Sequence, residues 1–298
     1  RAGVTPPPVA ARPSTSLRSH QPGGTWPSGL TPAEAFTAAR AAFPDASVGA
    51  GMLTNFTELN RHRPDPAQID FIAHGSSAIV HAADDESVFQ TIEALPQIFA
   101  SARAIAPQTA YRLGLISIGM RTNPYGDGLV DNPEGNRRTT TADDPRARTR
   151  AGAAWMVAAM GATRGFGIER IVLAAPGGPF GIMASDTDRV RPSYHVVRAL
   201  HAMSGLPRTD VATASTPLAI VSAQDGDTIR AIVANLGDPV MLAVGPGASA
   251  AILDAASESD ATDPNWLDTA TAPCSDSLPL SGHALAFVSI PSTGRTAA

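Results

Sequence analysis

Residues 69–120 read IDFIAHGSSAIVHAADDESVFQTIEALPQIFASARAIAPQTAYRLGLISIGM, and this stretch contains two apolar runs typical of strands and one helical periodicity between them. The apolar runs Ile69–Ala73 and Tyr111–Met120 have the length and composition of buried strands. Between them, apolar residues recur every three or four positions over Ser87–Ala106, which predicts a helix. The order strand, helix, strand predicts two parallel strands joined by a right-handed crossover.

The same alternation extends to both sides of this stretch. Two further strands are predicted at Ser47–Leu53 and Ile168–Ala174, and helices at Thr31–Phe43, Arg146–Thr163 and Ser193–Met203. The first of these helices begins with Thr-Pro-Ala-Glu, which supplies an N-cap, a proline at the first helical position and an acid in the first turn. Strands that are apolar throughout, without alternation, indicate a parallel sheet that is covered on both faces. The units are longer than a minimal strand–helix unit, which fits a barrel with extended loops after its strands.

Four such units are half of an eight-stranded barrel, and a half-barrel alone would leave two unpaired edges. Either the sheet is open, or four units precede this chain, which begins with Arg rather than Met. We favour the second alternative. The predicted class is therefore α/β: a partial (β/α)8 TIM-type barrel containing the later strands, followed by a small antiparallel β-domain. The predicted limits are 1–30 for a loop entering the barrel, 31–209 for the second half of the barrel, and 210–298 for the β-domain.

The β-domain is predicted from short β-rich runs after Gly205. They are Leu218–Ser222, Thr228–Ala234, Val240–Val244 and Ala284–Ile290. The sequence QDGD at residues 224–227 is a strong hairpin-turn signal, and LGDP at 236–239 is a second turn. The runs therefore predict an antiparallel, sandwich-like arrangement.

Composition excludes several classes of function. The net charge of −5 argues against a nucleic-acid-binding face, and all 22 basic residues are arginine, which excludes a Schiff-base lysine. No apolar run reaches the ~20 residues that span a bilayer, so we expect no membrane segment. The single cysteine, Cys274, cannot form an internal disulfide, and a cytoplasmic location is expected. No cofactor is implied.

Polar side chains follow the first two predicted strands, where a barrel places its active site. Glu58 could act as a general base, and Asn60 could contact substrate. His74 ends the second strand and His81 follows it; histidine titrates near neutrality and can transfer protons. The alternatives are a Glu58 at the start of a helix, solvated or paired with Arg61 or Arg63, and an orienting His81.

A third polar group follows the strand at Tyr111–Met120. Arg121 could hold a carboxylate product or polarise a lactone carbonyl, and Asn123 and Tyr125 could contact the substrate. The sequence Asn-Pro-Tyr-Gly is also ordinary turn chemistry. The predicted catalytic residues are Glu58, His81 and Arg121. The predicted substrate-binding residues are Asn60, His74, Asn123 and Tyr125, and no metal ligands are predicted.

Two common hydrolase signatures are absent from the sequence. There is no Gly-x-Ser-x-Gly nucleophile elbow, and only Glu58 is a carboxylate near a predicted strand end. A glycosidase normally needs two facing carboxylates. A second one could come from strands outside this chain, so this reading stays open.

Several motifs resemble the D-apionate lactonase family. They are GAGMLTNFTELNRHRPDP, IDFIAHGSSAIVHAADDESV, ISIGMRTNPYGDGLVDNPEGNRR and LAAPGGPFGIM, with PSTSLRSHQPGGTWPSG before them. The resemblance runs from about residue 12 to 206, with Thr-Glu-Leu-Asn-Arg and Asn-Pro-Tyr-Gly as its most specific parts. It implies a central barrel between two β-domains, and hydrolysis of D-apionolactone to D-apionate in apiose catabolism. It supplies no catalytic residues, so the site assignments follow from strand-end position.

Three hypotheses follow. The leading one is a sugar lactonase in which water, activated by Glu58 or His81, attacks the ring ester, and Arg121 or Asn123 stabilises the oxyanion. The second is a glycoside hydrolase-like barrel acting on a carbohydrate, and the third is an inactive, truncated barrel. The expected partners are a small sugar-lactone substrate and the missing N-terminal half of the same polypeptide, without nucleic acid or membrane.

Overall fold

A computed structural model describes residues 7–184, 187–209 and 217–292. Its contacts divide the chain into two units. One comprises Arg1–Asp144 with Thr163–Leu173, and the other comprises Pro145–Ala162 with Ala174–Ala298. The chain therefore passes between the units more than once. The predicted limits at 31–209 and 210–298 stay a prediction.

The first unit is built on a five-stranded parallel sheet. Its strands are adjacent in chain order: β1 (Val9–Ala10), β2 (Val48–Asn55), β3 (Phe71–Ser77), β4 (Ala110–Ser117) and β5 (Ile168–Val172). Sequential order without a switch point is the order of a (β/α) barrel rather than of a doubly wound sheet. The predicted α/β class is confirmed, and the short strand β1 lies within the predicted loop at 1–30.

Three helices accompany this sheet: α1 (Pro32–Ala42), α2 (Phe56–Arg61) and α3 (Asp85–Ile105). Helix α1 begins with the predicted cap, because Thr31 Oγ1 accepts from the Glu34 amide and Glu34 accepts from the Thr31 amide. Helix α2 lies in the polar stretch after β2, where the start of a helix at Glu58 is one of the alternatives that the sequence offers. It follows β2 without any connecting residue, so the site residues near Glu58 lie on a helix.

Strands β2 and β3 approach closely because β2 has glycine at two positions. A Cβ atom on Gly49 would lie 2.3 Å from the Phe71 ring, and one on Gly51 would lie 2.7 Å from the Ala73 carbonyl oxygen. Register irregularities occur towards the carboxyl ends, between Gly51 and Asn55 in β2 and after His74 in β3. Bulges of this kind change the direction of side chains, and they are frequent beside active sites.

The second unit combines helices with two antiparallel sheets. Its helices are α4 (Arg150–Ala162), α5 (Pro192–Ala202) and α6 (Trp266–Ala270). The larger sheet has the order β10 (Ala272–Pro273), β9 (Ser249–Leu253), β12 (Leu285–Pro291), β7 (Thr228–Asn235) and β6 (Leu218–Asp225). The smaller sheet consists of β8 (Val240–Ala243) paired with β11 (Ser277–Leu280). The predicted antiparallel region is confirmed, and β9, β10, β11 and α6 were missed.

The larger sheet is buried on both faces, which explains its non-alternating apolar strands. On β7, Ile232 and Ala234 belong to a core that includes residues of α4 and α5. Ala231 and Val233 belong to a second core, shared with residues of β8 and β11. Successive side chains of a strand point to opposite faces, so this apolar run supplies both cores. The predicted hairpin turn at 224–227 joins β6 to β7, with Gly226 at φ +55°.

Candidate active site

A cavity of about 340 Å³ lies at the carboxyl ends of strands β2 and β3, within the first unit. This volume is at the lower end of the range typical of small-ligand pockets, roughly 300–1,000 Å³. Its polar lining includes Asn55, Ser76, Ser77, His81, Ser87 and Tyr125. The lining thus brings two of the predicted site residues, His81 and Tyr125, together at the edge where barrels bind substrate.

Glu58 lies beside this cavity rather than in its lining, and its carboxylate is almost fully buried, with 1% of the residue exposed. Oε2 accepts from Thr54 Oγ1 at 3.1 Å and from the Asn55 amide at 3.2 Å, and Oε1 accepts from Ser19 Oγ at 3.1 Å. Hydrogen bonds to a carboxylate stabilise its charged form. A carboxylate held in this way orients its neighbours and has little access to a water molecule.

Tyr125 connects Glu58 to the cavity. Its hydroxyl hydrogen-bonds to the side chains of Asn55, Thr57 and Glu58. Desolvation raises the pKa of Tyr125; the hydrogen bonds to Asn55 and Thr57 oppose the rise, and the charge of Glu58 adds to it. The phenol therefore remains protonated near neutral pH. Its single proton is directed to Glu58, so its oxygen is available to accept a further hydrogen bond.

His81 is exposed and lines the cavity from the segment between β3 and α3. It therefore has the access to water and ligand that Glu58 lacks. A neutral imidazole can accept a proton from water and return it in a later step.

Arg121 lines a narrow cleft next to the cavity. The cleft and the cavity share Asn55, Ser76 and Ser77 in their linings. The cleft also contains Thr122, whose Oγ1 is buried and has no hydrogen-bond partner within the described residues. Arg121 and His81 therefore flank the same three side chains.

Asn123 shapes the loop that carries Tyr125. Its Oδ1 accepts from the Tyr125 amide at 3.0 Å, and its Nδ2 donates to the Gly128 carbonyl at 2.9 Å. This is the Asx-turn alternative considered for the Asn-Pro-Tyr-Gly motif. The side chain uses both of its polar atoms within its own loop.

His74 and Asn60 lie apart from this cavity lining. His74 is fully buried and packs against the rings of Phe56 and Tyr111, and burial lowers its pKa to about 4. Asn60 is exposed on α2, where its Oδ1 accepts from Arg63 Nη2 at 2.7 Å. His74 lies within β3 rather than at its end, and Asn60 lies on α2, so the predicted strand ends did not indicate where either side chain points.

Ser19 and Arg61 complete the surroundings of Glu58. Arg61 Nη1 donates to Ser19 Oγ, and the Ser19 amide donates to the Pro124 carbonyl at 2.9 Å. Arg18 Nη1 donates to the Gly126 carbonyl. Residues 18–19 thereby anchor the loop that contains Tyr125. No sequence signal marks Ser19, because its partners are 39 residues or more away.

No group of three or more His, Cys, Asp or Glu residues suited to holding a metal ion occurs in the part of the chain that the structure describes. Within the same residues, every helix is too short or too polar to cross a bilayer. The cytoplasmic location stays a prediction.

Comparison with solved structures shows that the chain shares a barrel-type fold with glycoside hydrolases. The chain is similar to a GH30 endoxylanase from Clostridium papyrosolvens C71, with a TM-score of 0.53 and 9% identity over 90% of this chain and 62% of that one. It is also similar to a family 51 α-L-arabinofuranosidase from Bifidobacterium longum, with a TM-score of 0.52 and 12% identity over 87% and 61%. At these identities the likeness supports the barrel-type architecture alone.

Sequence comparison is more specific. A D-apionate lactonase from Brucella anthropi is 38% identical over 209 residues, which is 68% of this chain and 34% of that protein. The chain thus spans about a third of the length of this curated relative. The family model for the TIM barrel domain of D-apionate lactonase matches residues 1–205. The chain belongs to the D-apionate lactonase family, and its matched residues correspond to the TIM barrel domain of that family.

Proposed function

We propose that this chain forms part of a hydrolase that opens D-apionolactone to D-apionate in the catabolism of apiose. The observation that carries the proposal is the cavity lined by His81, Tyr125, Asn55, Ser76 and Ser77, in a chain of the D-apionate lactonase family. Its hydroxyl and amide groups suit a polyhydroxylated ring, and the cleft containing Arg121 adjoins it.

In the proposed reaction His81 accepts a proton from water while the water oxygen attacks the lactone carbonyl carbon. Arg121 stabilises the negative charge that develops on the carbonyl oxygen. The tetrahedral intermediate then collapses, the ring C–O bond breaks, and the departing oxygen takes the proton from His81. The products are a carboxylate and a hydroxyl group, with one proton released to solvent at neutral pH.

His81 is preferred to Glu58 as the base because of the contacts described above. Glu58 is buried and accepts several hydrogen bonds, whereas His81 is exposed in the cavity. In this proposal Glu58 is a positioning residue: it accepts the proton of Tyr125 and holds the phenol where its oxygen can accept a hydrogen bond from a substrate hydroxyl.

The test uses the full-length gene product that contains this chain. Proton release after addition of D-apionolactone is followed in a pH-stat for the parent, His81→Gln and His201→Gln. General-base catalysis contributes about 10²–10⁴-fold, so His81→Gln should lower kcat by a factor in that range. His201, exposed on α5, is the matched control and should leave kcat unchanged.

Two outcomes would contradict parts of the proposal. A parent enzyme that opens neither D-apionolactone nor other aldonolactones would exclude the lactonase function. A His81→Gln variant with parental kcat would exclude His81 as the base, and Glu58→Gln would then be the variant to measure.

The glycoside hydrolase alternative gains no support from the cavity. Neither the cavity nor the cleft has an Asp or Glu in its lining among the described residues. A pair of carboxylates roughly 5–9.5 Å apart would be needed for the usual mechanism.

A further inference from the structure

A second arginine, Arg12, lies at the same edge of the parallel sheet as Arg121. Arg12 comes two residues after the end of β1, and Arg121 follows β4. The amide of Ala11 donates to the Gly49 carbonyl at 3.2 Å, which continues the pairing of β1 with β2 up to Arg12. The carboxyl ends of parallel strands meet at one edge of a sheet, so the two side chains project from the same edge.

The guanidinium of Arg12 is partly buried, and its charge interacts with that of Arg121. Its Nη1 lies 3.8 Å from Met52 Sδ, which is a weak acceptor. Burial lowers the pKa of Arg12 to about 10, and the positive charge of Arg121 adds to this effect. Two neighbouring cations, one of them removed from water, are an arrangement that costs free energy unless an anion is present.

Among the described residues, no acidic side chain forms an ion pair with Arg12 or with Arg121. The ion pairs of the other arginines, such as Arg40 with Asp70 and Arg137 with Asp85, involve neither Arg12 nor Arg121. The cleft beside Arg121 also contains the buried Thr122 Oγ1, which has no hydrogen-bond partner within the same residues. An anionic oxygen in the cleft could accept from Thr122 and from Arg121, which both line it, and Arg12 would add its charge from the same edge of the sheet.

We infer that Arg12, Arg121 and Thr122 form a binding site for the carboxylate of a short hydroxy acid. Guanidinium groups bind carboxylates through pairs of parallel hydrogen bonds, which makes arginine well suited to this group. The identity of the acid rests on the proposed function: it is the ring-opened product, whose carboxylate forms where the lactone carbonyl stood. The site would hold the product after ring opening and make the enzyme sensitive to product inhibition.

The test measures binding rather than turnover. Calorimetric titration of the full-length protein with D-apionate is compared with titration by the polyol of the same carbon skeleton, in which a CH₂OH group replaces the carboxylate. Charge-assisted hydrogen bonds are among the strongest in proteins, so Arg12→Gln and Arg121→Gln should each weaken D-apionate binding by roughly tenfold or more. Polyol binding should change by less than about twofold, because the polyol has no charge to lose.

Arg63→Gln is the matched control, since Arg63 is an exposed arginine that donates to Asn60. It should bind D-apionate as tightly as the parent does. Arg12→Lys keeps the charge without the paired donors and should recover part of the affinity. Unchanged D-apionate binding in Arg12→Gln would overturn the inference, whether or not that variant is less stable. An equal loss of polyol and D-apionate binding would overturn it too.

The result is separable from the proposed function. Arginine-dependent D-apionate binding by a protein that opens no lactone would support this site and exclude the lactonase activity. Lactonase activity together with D-apionate binding that is unchanged in Arg12→Gln would support the proposed function and exclude this site.

Discussion

Tyr111 donates a hydrogen bond to His74, with its hydroxyl oxygen 2.6 Å from His74 Nε2. The direction follows from the other ring nitrogen. His74 Nδ1 lies 2.8 Å from the Gly75 carbonyl oxygen, which can only accept, so Nδ1 carries the proton and Nε2 of the neutral ring accepts. Because both residues are fully buried, this pair belongs to the core of the first unit.

The free energy of unfolding should decrease as the pH is lowered, because His74 resists protonation in the folded state. Its pKa is lowered to about 4 in the folded state, whereas an unfolded chain binds the proton near pH 6.5. The contribution is therefore complete above about pH 6.5, is lost as the pH falls through that value, and levels off below about 4. Between pH 7.5 and 5 the free energy of unfolding should decrease by about 2 kcal/mol on account of this residue.

Urea unfolding of the full-length parent, His74→Gln and His201→Gln at these two pH values measures that contribution. Between the two pH values, the free energy of unfolding should decrease less in His74→Gln than in the parent. In His201→Gln it should decrease as much as in the parent. Identical differences in all three proteins would show that His74 is not neutral in the folded state.

Ser19→Ala should affect both stability and activity. The change removes one donor to Glu58 Oε1 and the acceptor for Arg61 in a largely buried cluster, at a cost of about 1–3 kcal/mol. A less constrained Glu58 would hold Tyr125 less firmly, so kcat/KM for D-apionolactone should fall several-fold. Ser14→Ala, at an exposed position of the same segment, is the control for both measurements. A stable Ser19→Ala variant with parental kcat/KM would contradict the positioning role of Glu58.

Gly51→Ala should destabilise the first unit. The added methyl group would lie 2.7 Å from the Ala73 carbonyl oxygen and 2.9 Å from the Ala73 side chain, so β2 and β3 would have to separate. Overpacking of this kind costs about 1–3 kcal/mol. Gly177→Ala adds a methyl group where no other atom lies within 4 Å and should have little effect on the urea midpoint. Equal midpoints for the two variants would show that the strands tolerate a wider spacing.

Asn235→Asp should strongly destabilise the second unit. Asn235 is fully buried, and its Nδ2 lies 2.8–3.1 Å from the carbonyl oxygens of Asp238, Leu280 and Ser281. A carboxylate oxygen there would face three acceptors without a proton to donate, and a buried unpaired charge costs about 3–5 kcal/mol.

Thermal unfolding should show a large fall in Tm for Asn235→Asp and none for Asn265→Asp, which makes the same change at an exposed position. Similar Tm values for both would indicate that the 236–239 turn rearranges around the new charge.

The sequence predicted elements best where many residues repeat one pattern. Helix α3 and the strands from β2 to β5 were recognised from long apolar runs, and α1 from its Thr-Pro-Ala-Glu cap. Elements such as β1, of two residues, and α2, of six, are too short to display a period. Strand β9 is rich in alanine and serine, so its SAAIL sequence has little β-propensity of its own, and pairing with β12 forms it.

The location of the site could be predicted from the sequence, but the roles of its individual residues could be predicted only in part. Strand-end position placed Glu58, His81 and Tyr125 in one region, because parallel strands all end at the same edge. It could not distinguish His81, which faces a cavity, from His74, which faces the core, since a bulge after His74 breaks the simple alternation. Arg12 and Ser19 come from the segment assigned to a linker, and only the folded chain brings them to Arg121 and Glu58.

The path of the chain between the two units limits how the gene can be divided or recombined. Helix α4 carries Ala153 and Val157 in the core with Val221 and Ile232, yet the next strand, β5, pairs with β4 in the other unit. A gene that stopped after residue 209 would translate α4 without the strands that cover its apolar face, and a gene that began at 174 would lack α4 altogether. Neither unit is encoded by one continuous run of codons. A single crossover therefore cannot exchange either unit intact.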